Sequence, residues 1–158
     1  MRRIDIYTDG SCNARIRVGG YGVYVKEEGC ETVIHQGYTH TTTARMEMRA
    51  VLHAIRLVSN EPMDVYIHSD SQFVVNAFKE GWLSRWRLSN FVGVMNAPIW
   101  KAIVLELAKR PQVHFHIRWL HGHQRDILDE TVFGNTVADA LADYKNQESY
   151  IKDTDDNI

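Results

Sequence analysis

This sequence predicts an α/β fold, one five-stranded mixed sheet flanked by helices, and three observations carry that prediction. Near the start, three short alternating segments are joined by turns, as in an antiparallel meander. After them, strand-like and helix-like stretches alternate, as crossover connections between parallel strands require. Two strand-like segments also end alike: Ile6-Tyr7-Thr8-Asp9-Gly10-Ser11 and Ile67-His68-Ser69-Asp70-Ser71-Gln72. Each reaches an aspartate and then turns, and the carboxyl ends of strands in an open α/β sheet are where ligands sit.

The elements follow in order. Arg3–Thr8 alternates Ile4 and Ile6 with Asp5 and Tyr7 and reads as the first strand. Gly19-Gly20-Tyr21-Gly22 feeds a second, Tyr21–Lys26, and Glu27-Glu28-Gly29-Cys30 turns it into a third near Thr32–Tyr38. Helical periodicity runs from about Thr43 to Ser59. Pro62 closes the linker to a fourth strand, Val65–Ser69. Ser71 can cap a helix that runs to about Glu80 and is ended by Gly81. Trp82–Val94 reads as irregular or partly helical. Asn96, with Pro98 in the first turn, opens a helix to Lys109. Val113–Leu120 is the fifth strand, and a loop from His121 to Phe133 precedes a last helix beginning near Asn135.

A chain of 158 residues accommodates one domain with a real core. The body is expected to span residues 1–147, and residues 148–158 an acidic, solvated tail. The net charge of −2 divides unevenly: the tail carries −3 and residues 1–147 carry +1. Any nucleic-acid-binding surface must therefore be local. Two cysteines, Cys12 and Cys30, are too few for a disulfide framework and lack metal-ligand spacing, so a reducing compartment is expected. Met1-Arg2-Arg3 leads into a strand and not an apolar signal region, and no apolar run is long enough to span a bilayer. A cytoplasmic, free-standing, monomeric protein with no membrane partner is the expectation.

Glu47 is the most telling acid. At about 100° per residue, Arg45, Arg49, His53, Arg56 and Asn60 form one polar stripe, and Glu47 lies roughly 160° from its centre. Its helical neighbours Ala44, Val51, Ala54 and Val58 are the side that should be buried. A carboxylate there needs a metal or a buried arginine partner, and the pattern leaves both open. Asp9 or Asp70 alone would be an ordinary turn residue. Two matching endings on strands that can lie side by side, together with Glu47, point to a divalent-metal site. Asp139 lies opposite Val137, Leu141 and Tyr144 in a first helical turn, where an exposed acid is unremarkable.

Beyond the acids, Thr8-Asp9-Gly10-Ser11-Cys12, Gly19-Gly20-Tyr21-Gly22, Arg45-Met46-Glu47 and Ser69-Asp70-Ser71-Gln72 follow one another. Trp82, Trp86, Trp100, Trp119, Gly122-His123, Gly134-Asn135 and Ala138-Asp139 complete the series. In this order, over roughly residues 4–145, they resemble ribonuclease H type 1. The resemblance implies a ribonuclease H-like fold and endonucleolytic cleavage of the RNA strand of RNA–DNA hybrids, leaving 5′-phosphate and 3′-hydroxyl ends. It implies Mg²⁺, with Mn²⁺ as a substitute, held by Asp9, Glu47, Asp70 and Asp139. The water-activating ion would lie toward Asp9, Asp70 and Asp139, and the leaving-group ion toward Asp9, Glu47 and Asp70. The chemistry is consistent: hard carboxylate oxygens suit these cations, and two ions about 4 Å apart can support an in-line displacement.

The same resemblance gives His123 a part in proton transfer or product release, although by itself it reads as a surface loop histidine. It makes Asn13, Arg15, Thr42, Gln72, Trp82, Arg85, Trp86 and Arg87 the candidate nucleic-acid contacts. Aromatics interleaved with cations suit a nucleic-acid backbone, while the tryptophans read equally well as core anchors.

The sequence departs from the family pattern at several places. Asn13-Ala14-Arg15-Ile16-Arg17-Val18 replaces a Gly/Asn/Pro-rich loop, and Arg15 and Arg17 offer cations there instead. Thr43-Ala44 stand where asparagines are common, the segment after Trp86 has few lysines, the loop from His123 to Asp139 is long, and Thr136 replaces a glutamate. Other nucleases of the same fold are alternatives. An exonuclease would want a second acid where Ser11 stands, and a transposase core a glutamate where Asp139 stands. A non-catalytic hybrid-binding module would have no need of four acids.

Overall fold

Segment Arg2–Asn13 forms a long strand, β1, paired along both edges. The computed structural model describes residues 1–120 and 130–158. Strands β2 (Val18–Glu27) and β3 (Cys30–Thr39) continue from β1 as an antiparallel meander. Helix α1 (Thr43–Arg56) crosses to β4 (Met63–Ser69), which lies parallel to β1. Helices α2 (Gln72–Lys79), α3 (Trp82–Leu88) and α4 (Ala97–Ala108) lead to β5 (Val113–Trp119), parallel to β4. Helix α5 (Glu130–Ala142) follows, and a last short strand, β6 (Tyr150–Lys152), pairs parallel with β3. The sheet order is β5-β4-β1-β2-β3-β6.

The sheet thus has six strands where five are predicted, and the correction falls on the tail. Residues 148–158 are docked on the body. Gly37, Tyr38 and Thr39 of β3 take Tyr150, Ile151 and Lys152 as partners, and Asp153 is buried. The segment was expected to be solvated because its charge dominates its composition. One buried acid meeting two arginines reverses that. It also covers Arg49, a member of the polar stripe of α1, which is only 1% exposed. Helix α5 begins at Glu130, ahead of the predicted Asn135.

Alternation along β1 divides the core in two. Ile4 and Ile6 face the large cluster built with Met46, Val51, Leu52 and Ile55 of α1 and Ile99, Trp100 and Ile103 of α4. Tyr7, on the opposite face, packs with Tyr24 of β2 and Ala138 of α5 in a smaller cluster. The sheet therefore lies between α1 and α5, and a residue of β1 can reach either helix according to its parity.

Candidate metal centre

The β1–β4 register brings the two strand-end aspartates together. The last parallel pair is Thr8 with Ser69, so Asp9 and Asp70 are the next residues on adjacent strands. Asp9 itself stays within β1, opposite Gly22 of β2. The antiparallel ladder continues past the predicted end because β2 offers glycines there, and two close approaches depend on them. A Cβ at Gly10 would fall on the backbone nitrogen of Glu47, so glycine lets the first turns of α1 rest on β1. A Cβ at Gly22 would lie 2.5 Å from the Ala138 carbonyl oxygen, so glycine also lets α5 rest on β2 beside Asp9.

The result is a tight acidic cluster. One carboxylate oxygen from each of Asp9, Glu47 and Asp70 lies within 4.8 Å of the others. Asp9 is 4% exposed and Glu47 7%. Asp9 Oδ1 accepts a 2.8 Å hydrogen bond from the Gly10 N–H. Glu47 Oε2 is buried with no hydrogen-bond partner among the described residues. Among the described residues no arginine pairs with Glu47: Arg45 and Arg49 of α1 pair with Asp153, and Arg56 with Glu106.

Burial, the charge of Asp70 and a hydrogen bond with Asp139 push the Asp9 carboxyl up to about 8. Burial first, and then the charges of Asp9 and Asp70, hold Glu47 well above the carboxylate range, against a hydrogen bond from the Gly10 backbone. An unpartnered buried oxygen beside mutually repelling carboxyls is what a cation would satisfy. The donors are all hard oxygens, which fit Mg²⁺ or Mn²⁺. Asp139 stands on the exposed side of α5 within hydrogen-bonding reach of Asp9. It is brought there by the contact of α5 with Gly22, which helical periodicity does not reveal.

The remaining candidates divide. Thr42 caps α1, its hydroxyl accepting from Arg45 N at 3.2 Å. Asn13 is engaged in the fold: its Oδ1 accepts from the Arg15 and Ile16 N–H groups and its Nδ2 donates to the Tyr144 hydroxyl at 3.1 Å. Arg15 and Gln72 are exposed. Arg17 donates to the carbonyls of Thr41 and His40. Trp82 and Trp86 pack against the large core, with Trp86 and Trp100 ring centres 5.2 Å apart. They also line an open groove of about 400 Å³ with Arg85 and Ser89. Arg85 and Arg87 are exposed. His123 lies outside the described residues. Sequence reasoning missed Asp153, whose one signal, an acid two residues beyond Ile151, is lost among the neighbouring charges.

Fold and cluster together define an α/β domain whose central strands present a carboxylate centre suited to hard divalent cations. A family model described as RNase H matches residues 1–147. A ribonuclease H of Actinobacillus succinogenes is 36% identical over 138 residues, covering 82% of this chain and 86% of that protein. One of Chlorobium luteolum is 40% identical over 121 residues, covering 73% and 82%. The crystal structure of LC9-RNase H1, described as a type 1 RNase H with the type 2 active-site motif, superposes with a TM-score of 0.71 at 24% identity, over 90% of this chain and 71% of that one. The solution structure of the PFV RNase H domain gives 0.71 at 24% identity, over 90% and 93%, in agreement on the fold. The chain belongs to the RNase H family.

Proposed function

We propose that this chain is a divalent-metal-dependent endonuclease that cleaves the RNA strand of RNA–DNA hybrids and leaves 5′-phosphate and 3′-hydroxyl ends. The observation that carries the reading is the orphaned Glu47 oxygen within the Asp9–Glu47–Asp70 triangle, in a chain of this family. Asp9, Glu47, Asp70 and Asp139 would hold Mg²⁺, or Mn²⁺ in its place. When bound, such ions supply a nucleophilic water at neutral pH and stabilise charge on the phosphoryl and leaving oxygens.

The residues of the chain do the rest. Asp9 and Asp70 follow the last residue pair of the parallel β1–β4 ladder, so a scissile phosphate held there would be located by the sheet rather than by a loop. Glu47 enters from α1 and Asp139 from α5, on opposite sides of that pair. Gln72 opens α2 two residues beyond Asp70 and is exposed, and it would meet the backbone of the cleaved strand. Trp82, Arg85, Trp86 and Arg87 offer a surface for the DNA strand, with ring faces for sugars or bases and guanidiniums for phosphates. Thr42 stands at the start of α1, the turn holding Arg15 is tied to it through Arg17 and the Thr41 carbonyl, and Asn13 acts there by shaping the turn that presents Arg15. His123 assists proton transfer or product release. A 2′-hydroxyl on one strand only, displayed in a wide minor groove, gives a chemical basis for strand choice.

The test is a labelled RNA–DNA hybrid incubated with and without Mg²⁺, beside RNA–RNA and DNA–DNA duplexes. Cuts confined to the RNA strand of the hybrid and dependent on the metal are expected. Equal cutting of the DNA duplex would point to another nuclease of this fold.

A further inference from the structure

Glu47 can serve the carboxylate centre only if α1 is held at the right height and rotation. On its sheet side, α1 rests on Gly10. On its far side lies the segment from β6 onward, and its contacts converge on one atom group. The Asp153 carboxylate is fully buried, and Arg49 is 1% exposed. Arg49 donates to Asp153 Oδ1 from Nη2 at 2.6 Å and from Nε at 3.1 Å. Arg45 donates to Oδ2 from Nε at 2.7 Å and to Oδ1 from Nη2 at 2.9 Å. The Thr41 hydroxyl, just ahead of the helix, donates to Oδ2 at 2.7 Å. The Asp153 N–H donates to the Thr39 carbonyl at 2.9 Å, which ties the group to β3. Arg49 also donates to Asn157 Oδ1 at 2.6 Å and to the Thr154 carbonyl at 3.1 Å. Arg45 reaches Asn96, the residue before α4, at 3.1 Å.

We propose that Asp153 is a positioning residue for the carboxylate centre: by clamping Arg45 and Arg49 on the far side of α1, it fixes that helix and aims Glu47 at Asp9 and Asp70. This rests on the reading of Glu47 as a metal ligand.

The physical case has three parts. A buried carboxylate with two guanidiniums is a poor way to gain stability, because desolvation offsets much of the attraction and an apolar cover would do as well. What the cluster supplies is direction. Two forked arginines one helical turn apart resist rotation of α1 about its axis. A carboxylate at the end of a side chain stands about 6 Å from that axis, so a rotation of about 10° moves it by about 1 Å. Displacements of that size can lower a rate by about 100-fold. Finally, Arg45 brings positive charge to the first turn of α1, which already carries the positive end of the helix dipole and has no acid, and Arg49 adds a second charge one turn further on. Asp153, with exposed Asp155 against Arg45 at 3.1 Å, supplies the compensating charge from outside the helix, and Glu47 is left without an arginine partner among the described residues.

The experiment uses the full chain and Asp153→Asn, which keeps the shape and removes the charge. Mg²⁺ binding is measured by titration calorimetry, and kcat and KM on a hybrid are measured well below the melting temperature of each protein. The expected result is Mg²⁺ affinity weakened about tenfold and kcat lowered about tenfold or more, with KM for the hybrid within about twofold of the parent. If Asp153→Asn does not fold, Arg49→Lys, which keeps the charge but loses the fork, carries the same criteria. Mg²⁺ affinity and kcat within about twofold of the parent, however far the melting temperature falls, would overturn the proposal and leave Asp153 a purely structural residue. A parent chain that fails to cut the hybrid would count against the proposed function instead, while the Mg²⁺ titration would still read the positioning.

Discussion

Replacing Asp9 with Asn should make the metal-free protein more stable while abolishing cleavage. Asp9 is 4% exposed, and its carboxyl is pushed from 3.8 to about 8 by burial and by neighbouring acids. An acid whose folded pKa is raised favours the protonated form. Its contribution to stability is therefore greatest at low pH and declines as the pH rises from about 3.8 toward 8. At pH 7 the folded carboxyl is still mostly protonated, and the cost of holding a proton that the unfolded chain has released approaches about 4 kcal/mol, at about 1.4 kcal/mol per pH unit. The neutral isostere removes that cost and relieves repulsion on Glu47 and Asp70, but loses part of the hydrogen bond from Gly10. A net gain of about 2 to 3 kcal/mol is expected, or roughly 5–10 °C in melting temperature for a chain of this size. Calorimetric melts with a chelator at pH 5, 7 and 8 provide the assay. The gap between variant and parent should widen with pH, and added Mg²⁺ should narrow it by stabilising the parent alone. A variant that melts at or below the parent at pH 8 without metal would refute the charge-repulsion argument. Undiminished turnover at saturating Mg²⁺ would refute the assignment of Asp9.

His53 is a base held down to about 4 by burial and by Arg56 and Arg49, with its ring stacked 4.9 Å from Tyr21 and its Nε2 unpartnered among the described residues. Its neutral form is what the fold accepts, so its contribution is complete above about 6.5, declines as the pH falls and is gone near 4. Urea titrations across that window should show a loss of about 2 to 3 kcal/mol that His53→Leu removes, and an unchanged profile in the variant would sink the idea. Ca²⁺ should bind the acidic centre and support little cleavage, because it accepts the same oxygens with longer bonds and looser geometry; rates comparable to those with Mg²⁺ on one hybrid would contradict this. Replacing Arg85 and Arg87 with Ala should lower the slope of log affinity against log salt by about one to two units, read from hybrid binding in Ca²⁺ over a salt series. An unchanged slope would move the nucleic-acid track elsewhere.

The parts of the site legible in the sequence were those with a local signature. Asp9 and Asp70 end matching strand segments, and the parallel register does place them side by side. Glu47 falls on the apolar side of a periodic helix, and it is buried. Asp139 was not legible by periodicity, because its proximity to Asp9 follows from a contact between α5 and Gly22 of a strand more than a hundred residues earlier. Resemblance alone singled it out. The sixth strand was hidden for a related reason. Three residues between charged neighbours have no pattern of their own, and β6 exists because β3 offers a free edge and Arg45 and Arg49 offer a buried destination for Asp153. The polar stripe on α1 is legible as polar, but its cover by Asp153 is not, since periodicity reports chemistry and not what lies over it.

These cases share a cause, and it bears on how the centre works. Each acid of the cluster is delivered by a different element: β1, α1 and β4 for Asp9, Glu47 and Asp70, and α5 for Asp139. No single segment carries enough information to assemble them. The assembly is made by surfaces with almost no side chain, Gly10 of β1 under α1 and Gly22 of β2 under α5, which let two helices press on adjacent strands from opposite faces. Close packing of that kind sets distance and gives little direction at the glycines themselves, while the apolar side chains of α1 hold its sheet face in the large core. For α1 the forked contacts of Arg45 and Arg49 with Asp153 add a directional restraint on the far side. A glycine contact on one side and a directional ion cluster on the other are thus complementary. The first permits the mutual approach that raises the Asp9 and Glu47 carboxyls toward protonation, and the second keeps Glu47 aimed at its partners while that repulsion stands.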